Sequence, residues 1–353
     1  MGPSSQLDTL VQGQELKDGD NLVSAHGKFK LGLFHLTSNN YYLGKWYNGK
    51  HAELENLVWV ANRDTPIFDN SGNLTIDDYG NLKISHNGGP PIVLYSAQEA
   101  SNTGAALLET GNLVLTLLSE LNSGRQLWQS FDYPTHTLLP GMKLGVSRKT
   151  GHTWSLRSWI SSRVPAASSL TFGMDPKPTN QLVILRHDII CWNCSGLTDH
   201  YNFSYVSNEN EAYFYYHGYR RGYEDVTTSR KLTLDDWGEL YDDDNVTLTN
   251  CGRPNLVKIP ECRNGFYEFY PDYGSWDAID GFKFNEDSLL DCKFKCWNNC
   301  SCVAFASTNE DTQTGCLIWS TPVIFGPHSN VTRTIYFFRG SGKSIYSMLD
   351  LSH

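Results

Sequence analysis

Nine cysteines carry the most reactive chemistry in this 353-residue chain, and seven of them fall between Cys251 and Cys316. The spacings Cys292-x3-Cys296-x3-Cys300-x-Cys302 and Cys191-x2-Cys194 admit either thiolate ligation of zinc or disulfide bonding. Cys191-x2-Cys194 is a lone half-site, and no second CxxC or paired His stands at zinc-finger spacing. Thiols this dense suit an oxidising compartment, so disulfides are expected, with no metal and no cofactor. Asn-x-Ser/Thr sequons at Asn73, Asn193, Asn202, Asn245, Asn299 and Asn330 point to the same secretory route.

The other reactive side chains offer less. Asp77/Asp78 and Asp235/Asp236 stand in turn-like sequence and alternate onto opposite faces, which makes them poor acid–base pairs. Asp242-Asp243-Asp244 lacks the spaced oxygens and terminal Glu of a calcium loop and reads as a solvated linker. No HExxH, GxSxG elbow or phosphate-binding glycine loop occurs, so no catalytic residue is assigned. With 28 Lys and Arg against 38 Asp and Glu, the net charge of −10 repels phosphate backbones, and nucleic acid is not an expected partner. The first six residues lack the pattern of a signal peptide, and no apolar run is long enough to span a bilayer. A mature chain, separated from targeting and anchoring pieces, is expected.

The elements that must position these residues are mostly strands. Gly72-Asn73-Leu74-Thr75-Ile76, Gly80-Asn81-Leu82-Lys83-Ile84 and Gly111-Asn112-Leu113-Val114-Leu115 each lead from a Gly-Asn turn into alternating apolar residues. Asp235-Asp236-Trp237-Gly238-Glu239-Leu240 repeats the shape of the segment from Asp77 to Leu82, so two related β-domains are expected. Helical periodicity is confined to the segment from Ser288 to Trp297, where Ser288 is a plausible N-cap and Leu289, Cys292, Phe294 and Cys296 form a face. A small α+β domain should close the chain. In the run Tyr213-Phe214-Tyr215-Tyr216, alternation leaves one pair outside the core, with Arg220 and Arg221 following. Tyr213, Tyr215, Tyr216, Arg220 and Arg221 are therefore the expected ligand or dimer contacts, because exposed Tyr beside Arg suits binding hot spots. A domain–domain interface uses the same residues.

Four stretches carry a family resemblance. The segment Trp59-Val60-Ala61-Asn62-Arg63-Asp64-Thr65-Pro66 resembles the bulb-type lectin signature of plant S-domain (G-type lectin) receptor-like kinases. Leu127-Trp128-Gln129-Ser130-Phe131-Asp132-Tyr133-Pro134-Thr135 resembles the entry to their second lectin-like domain, and Ser158-Trp159 through Phe172-Gly173-Met174-Asp175-Pro176 resembles its continuation. The stretch from Cys292 to Trp319 resembles their PAN/apple domain. Asn62-Arg63-Asp64 reads physically as a corner closed between guanidinium and carboxylate, and Trp128 and Phe131 as prism filling. The resemblance implies a mainly β fold: two tandem bulb-lectin-like β-prism domains, then a small disulfide-bonded α+β PAN/apple domain. The expected boundaries are 6–120 and 121–240 for the prisms, 241–262 for a reduced EGF-like linker, 263–341 for the PAN domain and 342–353 for a tail.

By the same resemblance, Cys292 pairs with Cys316, Cys296 with Cys302 and Cys262 with Cys300, leaving Cys191, Cys194 and Cys251. The implied function is ligand recognition by a receptor-kinase ectodomain at the outer face of the plasma membrane or in the apoplast. Its cue would be a peptide, lipid or glycan for self/non-self or immune signalling, with dimerisation through the ectodomain. The alternative is a secreted mannose-type lectin with a defence role. Bulb-type lectins hold mannose on Gln-x-Asp-x-Asn-x-Val-x-Tyr, whose alternation puts five side chains on one face. Around Asn81 the other four places hold Asp77, Tyr79, Lys83 and Ser85; around Asn112 they hold Leu108, Thr110, Val114 and Thr116. A sugar site stripped of its donors and acceptors loses several kcal/mol, on the order of one lost hydrogen bond per missing group. Mannose binding on these strands is not expected.

Overall fold

One turn, used repeatedly, sets the architecture. In the computed structural model the Asp77 N–H donates to the Asn81 carbonyl at 3.2 Å and Gly80 N–H donates to the Asp77 carbonyl at 2.8 Å. The same pair of bonds closes Leu108–Asn112, Asp235–Glu239 and Asp242–Val246. The fourth residue of each turn must have positive φ, and Gly80, Gly111 and Gly238 supply it at +88°, +81° and +82°. At Asp242–Val246 the place is taken by Asn245 at +57°, one of the few side chains that tolerate it. The carboxylates of Asp77 and Asp235 fasten their turns by accepting from the second and fourth amides beyond them.

The described residues are 7–37, 39–49, 54–99, 102–120, 125–177, 179–193, 197, 201–219, 231–250, 260, 262–263, 267–275, 281–320 and 332–340. Among them, the hairpins assemble into two prisms of three four-stranded antiparallel sheets each. The first prism runs from the strand Thr9–Val11 to the strand Trp128–Gln129. Its centre is filled by Leu31, Leu43, Leu74, Ile84, Leu113 and Leu115, all fully buried. The second prism runs from Thr137–Leu138 to Thr247–Asn250, around Leu144, Leu156, Phe172, Ile184, Leu232 and Leu240. The apolar interior is continuous from one prism into the other and reaches Leu290 and Phe294.

Two of the expected boundaries move. Leu115 pairs with Trp128 and Val114 with Gln129, so the first prism borrows a strand from beyond residue 120. Likewise Leu240 pairs with Thr249, which places the start of the expected 241–262 linker inside the second prism. In both cases the added strand gives ladder partners to backbone groups of its neighbour and completes a four-stranded sheet.

The last unit is a five-stranded antiparallel sheet in the order Tyr267–Ser275, Thr332–Gly340, Cys302–Ala306, Thr314–Ser320, Phe282–Ser288. The helix Leu289–Asn298 packs on it. Ser288 caps this helix, its hydroxyl accepting from Asp291 N–H at 3.1 Å. At the other end, buried Arg263 donates to the carbonyls of Cys296, Trp297, Asn299 and Cys302. A cation there satisfies the carbonyls the helix cannot and complements its dipole.

Candidate functional site

The two asparagines that could mark sugar positions are already engaged. Asn81 sits at the exit of the first turn, donating its amide to Asp77 at 2.9 Å and accepting from Ala97 N–H at 2.8 Å. Lys83 forms an ion pair with the same Asp77 carboxylate at 2.9 Å. Burial raises the Asp77 pKa, but the hydrogen bonds from Asn81 and Lys83 outweigh it and hold the carboxyl at about 2. Asn112 is buried: its amide donates to Gln129 at 2.8 Å, and its carbonyl accepts from Ser130 and from the Phe131 amide. It ties the borrowed strand to the first prism. The Asn112 oxygen is filled and buried, and Asn81 already spends one donor and one acceptor on its own turn.

The aromatic strand Glu211–Tyr219 divides its side chains between the two faces of the sheet. Tyr213 and Tyr215 are half-buried on the outer face. Lys143 lies 4.1 Å from the Tyr213 ring centroid, and Trp154 packs edge-on at 6.3 Å. Phe214 and Tyr216 point inward, and Tyr216 is wholly buried against Phe203 at 4.9 Å. Tyr216 is thus core, and its place among the expected contacts is corrected: parity sends it to the same side as Phe214. Arg220, Arg221 and Asn330 lie outside the described residues, as do Cys194 and Cys251.

Of the other sequons, Asn193, Asn202, Asn245 and Asn299 are exposed, whereas Asn73 is half-buried with its side-chain carbonyl buried and without a hydrogen-bond donor. In the last unit, disulfides join Cys292 to Cys316, Cys296 to Cys302 and Cys262 to Cys300, with Cα separations of 5.2, 5.3 and 5.7 Å. The first two tie the helix to the sheet. Cys191 is also disulfide-bonded.

The seams between units hold polar side chains whose partners lie far away in sequence. Arg63 does not close its corner on Asp64. It crosses to the second prism and donates to the carbonyls of Pro165, Ser158 and Arg157 at 2.7, 2.8 and 3.0 Å. Asp64 accepts from Ala167 N–H at 2.8 Å beside it. Three backbone acceptors in one plane match the guanidinium fork better than a neighbouring carboxylate that can reach water. Lys45, 1% exposed, donates to Ser130 at 3.0 Å and lies over the rings of Trp59 and Phe131. Burial lowers its pKa to about 7. On the far side, Asp291 of the helix accepts from Ser169, Arg186 and His187 of the second prism at 2.9, 3.0 and 3.1 Å. His187 and Asp188 both have positive φ, +46° and +64°, as a two-residue hairpin turn requires. No sequence pattern announced these contacts.

Comparison with known proteins adds to this geometry. Residues 56–160 match the family model described as D-mannose binding lectin, and residues 280–324 match the PAN-like domain. The chain is 39% identical over 397 residues to the G-type lectin S-receptor-like serine/threonine-protein kinase CES101 of Arabidopsis thaliana, an alignment covering 94% of this chain and 46% of that protein. A second Arabidopsis thaliana kinase of the same description is 40% identical over 369 residues, covering 97% and 44%. An S-locus-specific glycoprotein of Brassica oleracea is 27% identical over 388 residues, covering 90% and 88%. The chain spans about half the length of the two kinases.

Proposed function

The chain belongs to the S-domain, or G-type lectin, receptor family, and from that premise we propose that it is the ligand-recognition ectodomain of a receptor-like kinase. The observation that carries this reading is identity of 39–40% running through nearly the whole chain, lectin and PAN regions alike. Both matched regions are recognition modules, so the proposed role is binding, with any phosphoryl transfer left to a separate domain. No described helix is long and apolar enough to cross a membrane. An extracellular position, at the outer face of the plasma membrane when anchored, fits the disulfides and the exposed sequons.

The cue is a peptide, lipid or glycan, and the outer-face pair Tyr213 and Tyr215 is the proposed contact surface for it or for a second receptor chain. The secreted mannose-type lectin is disfavoured by the internal engagement of Asn81 and Asn112. A chimera carrying this chain in front of a transmembrane helix and a receptor kinase domain tests the role. Extracellular fluid from stimulated plant tissue should raise kinase phosphorylation in the chimera and not in a control lacking the chain. Equal phosphorylation in both refutes it. In the same chimera, replacing Tyr213 and Tyr215 by Ala should lower the response while leaving the melting temperature within a few degrees of the parent. A melt lowered as by a core truncation makes the pair structural.

A further inference from the structure

A cavity of about 270 Å³ opens at the seam between the two prisms, lined by neither Tyr213 nor Tyr215. Its walls include Leu54 and Glu55 from the first prism and His136, Trp159, Asp236 and Tyr241 from the second. Seams between domains are where ligand cavities concentrate. The composition is specific. Asp235, at the same wall, is committed to its turn through the amides of Trp237 and Glu239. Asp236, the next residue, accepts from the Ser162 amide and its own, and has no ion pair to a described residue.

The cations of the neighbourhood are spoken for. Lys231 donates to the Glu55 carbonyl at 2.6 Å and lies 3.8 Å from Asp243, and Arg63 holds its three carbonyls. Lys293 lies over the Trp237 ring at 5.7 Å. Burial pushes the Asp236 carboxyl up to about 6 and that of Asp235 to about 7. That is how a carboxylate behaves when low-dielectric surroundings give it no counter-ion. Trp159 supplies a second, independent observation. It is only 9% exposed, packs on His136 at 4.9 Å, and its buried indole N–H has no acceptor. A buried donor left unpaired costs about 1–3 kcal/mol, so this wall of the cavity is held under some strain.

We propose that this cavity binds the guanidinium of an arginine side chain presented by a peptide ligand. Guanidinium is the cation that the lining fits best. It is flat and weakly hydrated, so it can stack on Trp159 or Tyr241 while its edge forks to Asp236 and Glu55. The proposal rests on the receptor reading only for the ligand being a peptide. Arginine binding can be measured whatever the chain is joined to.

The test is a calorimetric titration of the whole chain with N-acetyl-arginine amide, and with the neutral isostere N-acetyl-citrulline amide. Saturable binding of the arginine compound is expected, with the citrulline compound at least tenfold weaker. Asp236→Asn should weaken arginine binding at least tenfold. Glu55→Gln, at an exposed position, should weaken it about threefold and carries the test if Asp236→Asn lowers the melt. The proposal is overturned by no saturation with arginine, by equal binding of citrulline, or by folded variants that bind as the parent does.

Discussion

Replacing Arg63 by Ala removes the only side chain described here that donates three hydrogen bonds from the first prism into the second. The magnitude can be worked from the contacts. Each hydrogen bond from a charged donor is worth about 1.5–3 kcal/mol, so three amount to roughly 5–9 kcal/mol if they were independent. They are not independent, since one rigid group makes all three and water can enter the space it leaves. Breaking a buried charged contact by removing one partner typically costs about 3–5 kcal/mol, and that is the expected loss. Burial lowers the Arg63 pKa only to about 10, so the guanidinium is charged at neutral pH and the fork is complete. Urea denaturation followed by tryptophan fluorescence reports the change, because Trp59 and Trp159 flank the seam. The midpoint should fall, and the single transition of the coupled prisms should broaden or split. Arg63→Lys should recover less than half of the loss, because a point charge cannot satisfy three acceptors in a plane. A loss below about 1 kcal/mol for Arg63→Ala would show that the seam does not depend on these three bonds.

Three further outcomes are expected. Reductant should lower the melting temperature of the C-terminal unit, where disulfides supply about 2–4 kcal/mol each, and spare the first prism, which has no cysteine; an unchanged calorimetric trace counts against this. Titration with mannose should show no saturation tighter than millimolar, and Asn112→Ala should lower stability by about 1–3 kcal/mol through the orphaned Phe131 amide; saturable binding lost in Asn81→Ala or Asn112→Ala would overturn the inward reading of these residues. Lys45 is protonated in the unfolded chain up to its ordinary pKa near 10.4, but in the folded chain only below about 7. Between those values the unfolded state binds more protons, so stability rises with pH across that window. Lys45→Met should stabilise the protein at pH 6 and flatten the rise between pH 7 and 9; an unchanged slope assigns the dependence to other groups.

What could be read from the sequence was local. The hairpin turns declare themselves because a positive-φ residue at a fixed offset from Asp or Leu leaves few other conformations, and the helix declares itself through Ser288 and its apolar face. Arg63 shows why the rest stayed hidden. Its neighbour Asp64 offers a partner one residue away, whereas its actual acceptors stand about a hundred residues along the chain and are backbone carbonyls, which no side-chain pattern marks. Tyr216 differs from Tyr213 and Tyr215 only by parity, and which parity faces inward is decided by the sheet beneath it. The cavity beside Asp236 is further from view, since it exists only where loops of two prisms meet.

The contacts at Arg63 and Asp291 have a mechanical meaning. Each unites two bodies by several directed bonds from one side chain, the first between the prisms and the second between a prism and the final helix. Among the described residues, each joint is therefore held by a side chain that would have to give up several bonds before the bodies could part. Tilting the final helix should pull on the second prism through Asp291, and the second prism on the first through Arg63.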